Sequence, residues 1–270
     1  MEPKPPSVLY HYTDANGLLG ILNHKQLWLT HYSFLNDSNE IQYGKKLIKQ
    51  VVPDFSESLP QDSFEDWIDN FDTREERTKD QTYIVCFSEN GDQLSQWRAY
   101  ADDGLGFAIG FRSSALEDLA GSVGWCFGPD RVIYNKGQQV ELLRDAIDNG
   151  FADHDGELIE FWDGLLDQNA ITFKDAAFSE EAEWRMTSIF VAQPGAAKDE
   201  YLECPTPLFR STKYGIAPYV QLSFPVTAIV EIAIGPRCPM REKHWVIRQL
   251  LRHHEVESEI KITNSKATYR

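Results

Sequence analysis

Leu9-Tyr10-His11-Tyr12-Thr13, running directly into Asp14-Ala15-Asn16-Gly17-Leu18-Leu19-Gly20-Ile21-Leu22, sets a histidine between two tyrosines where a short apolar strand meets an amphipathic helix. Strand side chains alternate, so Val8, Tyr10 and Tyr12 share one face while Leu9, His11 and Thr13 share the other. Asp14 or Thr13 supplies the oxygen that caps the helix. A polar ring held by two rigid elements is well placed to meet a ligand. The competing reading is a half-buried histidine satisfied by a backbone carbonyl.

Working outward, the pattern predicts a strand over 7–12, a helix over 14–23, a strand over 27–30 and a helix over 39–50. Residues 53–80 read as a helical excursion, with Phe64, Trp67, Ile68 and Phe71 at helical spacing on a core-facing stripe. Strands are expected at 83–87 and 106–111, with a helix over 92–101 between them. A second helical excursion spans 138–172. Strands follow at 184–191, 219–222 and 229–234, and Gly235-Pro236 precedes a basic helix over 239–253. Elements mix without regular βαβ alternation. The expected fold is therefore α+β, a mixed or split central β-sheet with surrounding helices, in a single domain over 1–270 with its core at about 8–266.

The composition, 42% hydrophobic with 12% aromatic residues, supplies enough apolar surface for a substantial core. No apolar run reaches the length of a membrane span and the Pro-rich start lacks a signal-peptide core, so a soluble cytoplasmic protein with no membrane partner is expected. Cys86, Cys126, Cys204 and Cys238 are scattered without a Cys-x-x-Cys pair, and read as reduced thiols in core strands rather than metal ligands. His253-His254 is equally poor as a metal pair, because adjacent helical positions point apart. The net charge of −16 is uneven: residues 141–203 carry 16 acids against 4 bases, whereas residues 204–270 carry 10 bases against 5 acids. Arg241, His244, Arg248 and Arg252 lie at helical spacing, offering a face for an acidic partner; the alternatives are pairing with the acidic middle of the chain or simple solvation.

The run from Cys86 to Tyr100 is dense in groups able to hold a nucleotide. Its strand ends at Ser88, and the helix beyond carries Trp97, Arg98 and Tyr100, aromatic planes and a guanidinium fork suited to a heterocycle and a pyrophosphate. The other reading is an amphipathic helix with Trp97 in the core and Arg98 paired to a carboxylate. Gly104-Leu105-Gly106 lacks the spacing of a dinucleotide loop and reads as a turn into a strand. No nucleophile elbow, zinc-protease pair or Walker loop occurs, which argues against those enzyme classes. Glu181, Glu183 and Arg185 alternate onto one strand face, an arrangement that perturbs carboxylate pKa values, or else is a solvated charge cluster.

Tyr10-His11-Tyr12-Thr13, Asn36-Asp37 with Glu40, Cys86-Phe87-Ser88-Glu89, Trp97-Arg98-Ala99-Tyr100 with Gly106-Phe107, and Glu181-Ala182-Glu183-Trp184-Arg185 together resemble a bacterial domain-of-unknown-function family, some of whose members are labelled abortive phage-infection proteins. More distantly, His11 followed by Leu18-Leu19-Gly20-Ile21-Leu22, with the late Glu181-Ala182-Glu183, resembles the ADP-ribosyltransferase-like superfamily, which includes DNA-modifying toxins and RNA 2′-phosphotransferases. That resemblance implies an ADP-ribosyltransferase-like fold, NAD as co-substrate and an acceptor, protein or nucleic acid, left open. It makes His11 the ribose anchor and Glu183 the catalytic glutamate, with Tyr12, Thr13, Ser88, Trp97, Arg98, Tyr100, Glu181 and Arg185 around the nucleotide. The spacing of Trp97 and Tyr100 departs from the superfamily pattern. Two other classes compete: a non-catalytic nucleotide-sensing module of a defence system, and a protein-interaction module working through Arg241, Arg248 and Arg252.

Overall fold

In the computed structural model the expected opening forms: Val8–Thr13 is strand β1, Asp14 caps helix α1 (Ala15–His24) by accepting from Gly17 N at 2.7 Å, and Gln26–His31 is β2. The structure describes residues 4–35, 39–51, 53–54, 82–152, 171–189, 205–212, 215–256 and 260–269. The aromatic stripe of 64–71, Asn36-Asp37, Cys204 and residues 153–170 of the second excursion lie outside those residues.

Helix α2 (Asn39–Val51) leads to β3 (Thr82–Ser88), α3 (Leu94–Tyr100) and β4 (Phe107–Arg112). Helix α4 (Ser113–Val123), β5 (Phe127–Arg131), α5 (Lys136–Ala152) and β6 (Glu183–Ile189) follow. The chain then forms β7 (Leu208–Thr212), β8 (Gly215–Ser223), β9 (Ile229–Ile234), helix α6 (Lys243–His253) and β10 (Lys261–Asn264). Among these, α4, β5, β7 and β10 were not anticipated. The basic helix begins at Lys243 rather than 239, after a turn through Glu242 in the left-handed region (φ 47°).

All ten strands belong to one sheet, ordered β10-β9-β4-β1-β3-β2-β8-β7, with β6 on the other edge of β3 and β5 beyond it. The β9–β10 pair is parallel and the other pairs are antiparallel, so the sheet is mixed. Its organising strand is β3. One edge pairs along its whole length with β6, Thr82 opposite Ile189 through Ser88 opposite Glu183. The other edge is shared: Ser88 faces Tyr10 of β1, while Ile84 and Tyr83 face Thr30 and His31 of β2. Between those contacts β1 and β2 part, and the sheet splits.

One face carries the main core. Leu9, Leu27, Leu29, Val85, Phe87, Ile109, Phe111, Ile232 and Ile234 pack there under Leu18 and Leu22 of α1, Leu116 and Leu119 of α4, and Ile247 and Leu251 of α6. On the opposite face Tyr12, Ala108 and Ala233 are covered by Trp97 of α3 and by Ala101. Small residues at 108 and 233 let a seven-residue helix lie close against the strands. The turn before β4 is equally tight: a Cβ on Gly106 would stand 2.2 Å from Thr13 O and 3.0 Å from Ala101 O. No helix of the described residues is long and apolar enough to cross a membrane.

Candidate functional site

His11 lies at the split. Its Nδ1 is 2.9 Å from Cys86 O, and the ring stands edge-on to Phe87 at 5.9 Å. A carbonyl can only accept, so Nδ1 carries the proton and Nε2 of the neutral ring keeps a lone pair. Burial holds His11 below its ordinary pKa; the Cys86 bond opposes that shift and the charge of Arg210 adds to it. Both readings of His11 are thus partly realised: a backbone carbonyl satisfies one nitrogen and leaves the other for a hydroxyl.

Glu183 opens β6 on the far edge of β3 and is buried. Its Oε1 accepts from Arg185 Nε at 2.8 Å, and its Oε2 accepts from Arg185 NH2 at 2.9 Å and Lys174 Nζ at 3.1 Å. The Cys86 thiol also donates to the carboxylate. Burial alone would raise the Glu183 pKa; Arg185 first, then Lys174, outweigh it and bring the carboxyl down to about 2. It is an anion at neutral pH. Lys174 also bridges to Glu181, and Arg185 NH1 donates to Ile171 O at 2.6 Å. Glu183 N donates to Tyr134 OH at 3.0 Å. The solvated-cluster reading of Glu181, Glu183 and Arg185 is corrected: Glu183 and Arg185 are buried in an ion network. Lys174 and Tyr134, which complete it, carried no signal in the sequence, because both come from irregular stretches that pattern analysis passes over.

Strand alternation puts His11 on the core face and Glu183 on the other, yet both reach Cys86, His11 through the backbone oxygen and Glu183 through the thiol. Tyr100 of α3 approaches from the Glu183 side. Burial, followed by the charges of Glu181 and Glu183, pushes its phenol well above the ordinary range, so it stays a neutral donor.

The remaining candidates divide. Tyr12 OH donates to Asn90 O at 2.6 Å and accepts from Gln93 N at 3.0 Å, and its ring meets Trp97 edge-on at 4.8 Å. Trp97 has no exposed surface, and its Nε1 donates to Asp92 Oδ1 at 2.8 Å. The expectation that Trp97 stacks on a heterocycle is therefore replaced by the core reading, because Trp97 is fully buried in a cluster with Tyr12, Ala101, Ala108 and Ala233. Ser88 Oγ donates to Glu181 O at 2.7 Å and accepts from Asn90 N at 3.1 Å, tying the ends of β3 and β6 together rather than facing a ligand. Thr13 packs where a Cβ on Gly17 would come 1.8 Å from its Oγ1. Arg98 is exposed and lies over Tyr269, 5.8 Å from the ring centroid, and its charge acts on the Asp103 carboxylate. Arg248 and Arg252 are exposed on α6, which also carries Trp245, 60% exposed, whereas Arg241 is exposed in the turn before the helix rather than on it. Cys86, Cys126 and Cys238 form no disulfide, and among the described residues no group of three or more His, Cys, Asp or Glu could hold a metal.

The model of a family described as "Protein of unknown function (DUF2971)" matches residues 96–186, the stretch from α3 through β6 that carries Tyr100, Lys174, Glu181, Glu183 and Arg185. No curated protein matches the chain. Among solved structures, the chain is similar to Thermus sp. 2.9 DarT in complex with NAD+, at 13% identity and a TM-score of 0.35 over 98% of each chain.

Proposed function

We propose that the chain binds NAD and transfers its ADP-ribose to an acceptor, as part of a defence or toxin system. The observation that carries this reading is that His11 and Glu183 flank Cys86, one at its carbonyl and one at its thiol, where β1 and β2 part. His11 Nε2 has the lone pair to accept from a ribose hydroxyl. Glu183 supplies a fixed negative charge that an oxocarbenium-like ribose needs as the glycosidic bond breaks and nicotinamide leaves with the bonding electrons. Charge that develops mainly in the transition state is stabilised best by a preorganised anion, and Arg185 and Lys174 hold Glu183 in one orientation. The acceptor's nucleophile then bonds to the anomeric carbon and releases its proton. The support is these contacts, not the distant likeness to DarT.

Incubation with NAD tests it by nicotinamide release. Glu183→Gln is expected to lower release by at least 100-fold and His11→Ala by at least 10-fold, with far-UV circular dichroism showing the fold retained. Equal turnover in Glu183→Gln removes the catalytic role.

A second reading has its own observation in favour. Both Glu183 oxygens already accept from Arg185 or Lys174, which suits a nucleotide-sensing module that positions a ligand without cleaving it. That reading predicts saturable NAD binding by calorimetry with no nicotinamide released.

A further inference from the structure

Arg210 of β7 has an unusual environment for a guanidinium. One NH2 hydrogen goes to Thr30 Oγ1 at 2.7 Å, and the group lies over the Trp28 ring, 5.7 Å from its centroid. Trp28 in turn stacks on Tyr219, with centroids 4.3 Å apart and planes at 27°. The Arg210 Nε–H is shut away from water and has no acceptor among the described residues. Asp14 is the carboxylate whose charge Arg210 feels, but its Oδ1 is engaged in capping α1. Among the described residues no carboxylate forms an ion pair with Arg210.

Arginine normally avoids this. A buried donor without an acceptor costs about 1–3 kcal/mol, and a surface side chain escapes the cost by turning outward. Here the sheet fixes the direction: Arg210 lies opposite Ala217 and Thr30 opposite Tyr219, so Arg210, Thr30, Trp28 and Tyr219 share one face. Burial lowers the Arg210 pKa, and its charge reaches across to help keep His11 neutral. Arg210 is therefore near enough to the split for its charge to act on His11, with its Nε edge buried and uncommitted among the described residues. Such an edge is shaped for two oxygens of one anion, which a guanidinium takes in parallel.

We propose that Arg210, with Thr30 and the Trp28–Tyr219 pair, is an anion-binding corner that takes the diphosphate of a nucleotide. The identity of the ligand class rests on the nucleotide reading given above. A hydroxyl acceptor at His11, within reach of the charge of Arg210, matches a ribose joined to a diphosphate, where a lone carboxylate ligand would leave His11 unused. Neutralising the guanidinium also relieves its orphaned donor, so binding and stability are coupled.

The test uses the full chain with ADP-ribose and with inorganic pyrophosphate, measured by calorimetry and thermal shift. Both are expected to bind and stabilise the wild type. Arg210→Met should weaken both at least tenfold with the fold retained by circular dichroism; Arg210→Lys should recover only part of the affinity, because an ammonium lacks the fork. Should the methionine variant fail to fold, the lysine variant gives the same comparison. ADP-ribose bound equally well by the variants overturns the corner and leaves the nucleotide reading standing. Arg210-dependent binding of pyrophosphate without binding of ADP-ribose overturns the nucleotide reading and keeps the corner. Wild-type protein that binds neither overturns both.

Discussion

Cys86 engages His11 with one atom and Glu183 with another, and the electrostatics on its two sides differ in kind. On the Glu183 side the charges are locked together. Removing one member of a buried ion network strands the others, so Lys174→Met is expected to cost about 3–5 kcal/mol in denaturant unfolding. The same network sets an acid limit. Glu183 has a folded pKa of about 2 against an ordinary 4.5, so its contribution is complete above pH 4.5 and fades as the pH falls toward 2. On the His11 side the sign comes from burial. A folded pKa below the ordinary 6.5 means that the unfolded chain binds the proton first, so stability is full above pH 6.5 and declines on acidification through the folded value. His11→Gln is expected to flatten the wild-type slope of stability against pH just below 6.5, read from denaturant midpoints across that range. His11, Glu183 and Tyr100 were legible as site candidates because each stands in a dense cluster of polar and aromatic residues at an element's end. Arg210 was not: it looks like any charged residue in Leu208-Phe209-Arg210-Ser211-Thr212, and its meaning comes from Thr30, 180 residues away.

Among the elements, those with clean apolar alternation or helical spacing were readable, and β1, α1, β3, β4 and β9 form close to where the pattern places them. The strands that escaped are made by their partners. Phe127-Gly128-Pro129-Asp130-Arg131 has the wrong residues for a strand, yet it pairs with β6 through a register shift between Phe127 and Asp130. Strand β10 is four residues long and is defined by lying parallel to β9. Helix α4 did carry a signal, Leu116, Leu119 and Ala120 at i, i+3 and i+4, and it buries that stripe against the main core. The approach of Gly106 to Thr13 O and Ala101 O is an element-level constraint, because both clashing atoms are backbone and cannot rotate away. Gly106→Ala is expected to destabilise by more than about 2 kcal/mol and to lower the thermal midpoint by several degrees.

At the scale of the whole molecule, the described C-terminal residues hold the segments on either side of α3. Asp92 accepts from Trp97 Nε1 at 2.8 Å, from Lys266 N at 2.7 Å and from Ser265 Oγ, and Tyr269 OH donates to Asp103 at 2.5 Å. Ala267 packs against the Tyr12–Trp97 cluster. Asp92→Ala should release this clamp, seen as faster hydrogen exchange in 94–100 and 265–269 and new protease cleavage beyond Asn264, with β1–β4 still protected.

The way β3 divides one edge between β1 and β2 bears on how quickly the chain can reach its native state. His11 meets Cys86 across 75 residues of chain, Ser88 meets Glu181 across 93, and Thr30 meets Arg210 across 180. Large loops must close before any of these contacts yields free energy. Refolding from denaturant should accordingly be slow for a chain of this size, and ligand-binding competence should return later than helix content does.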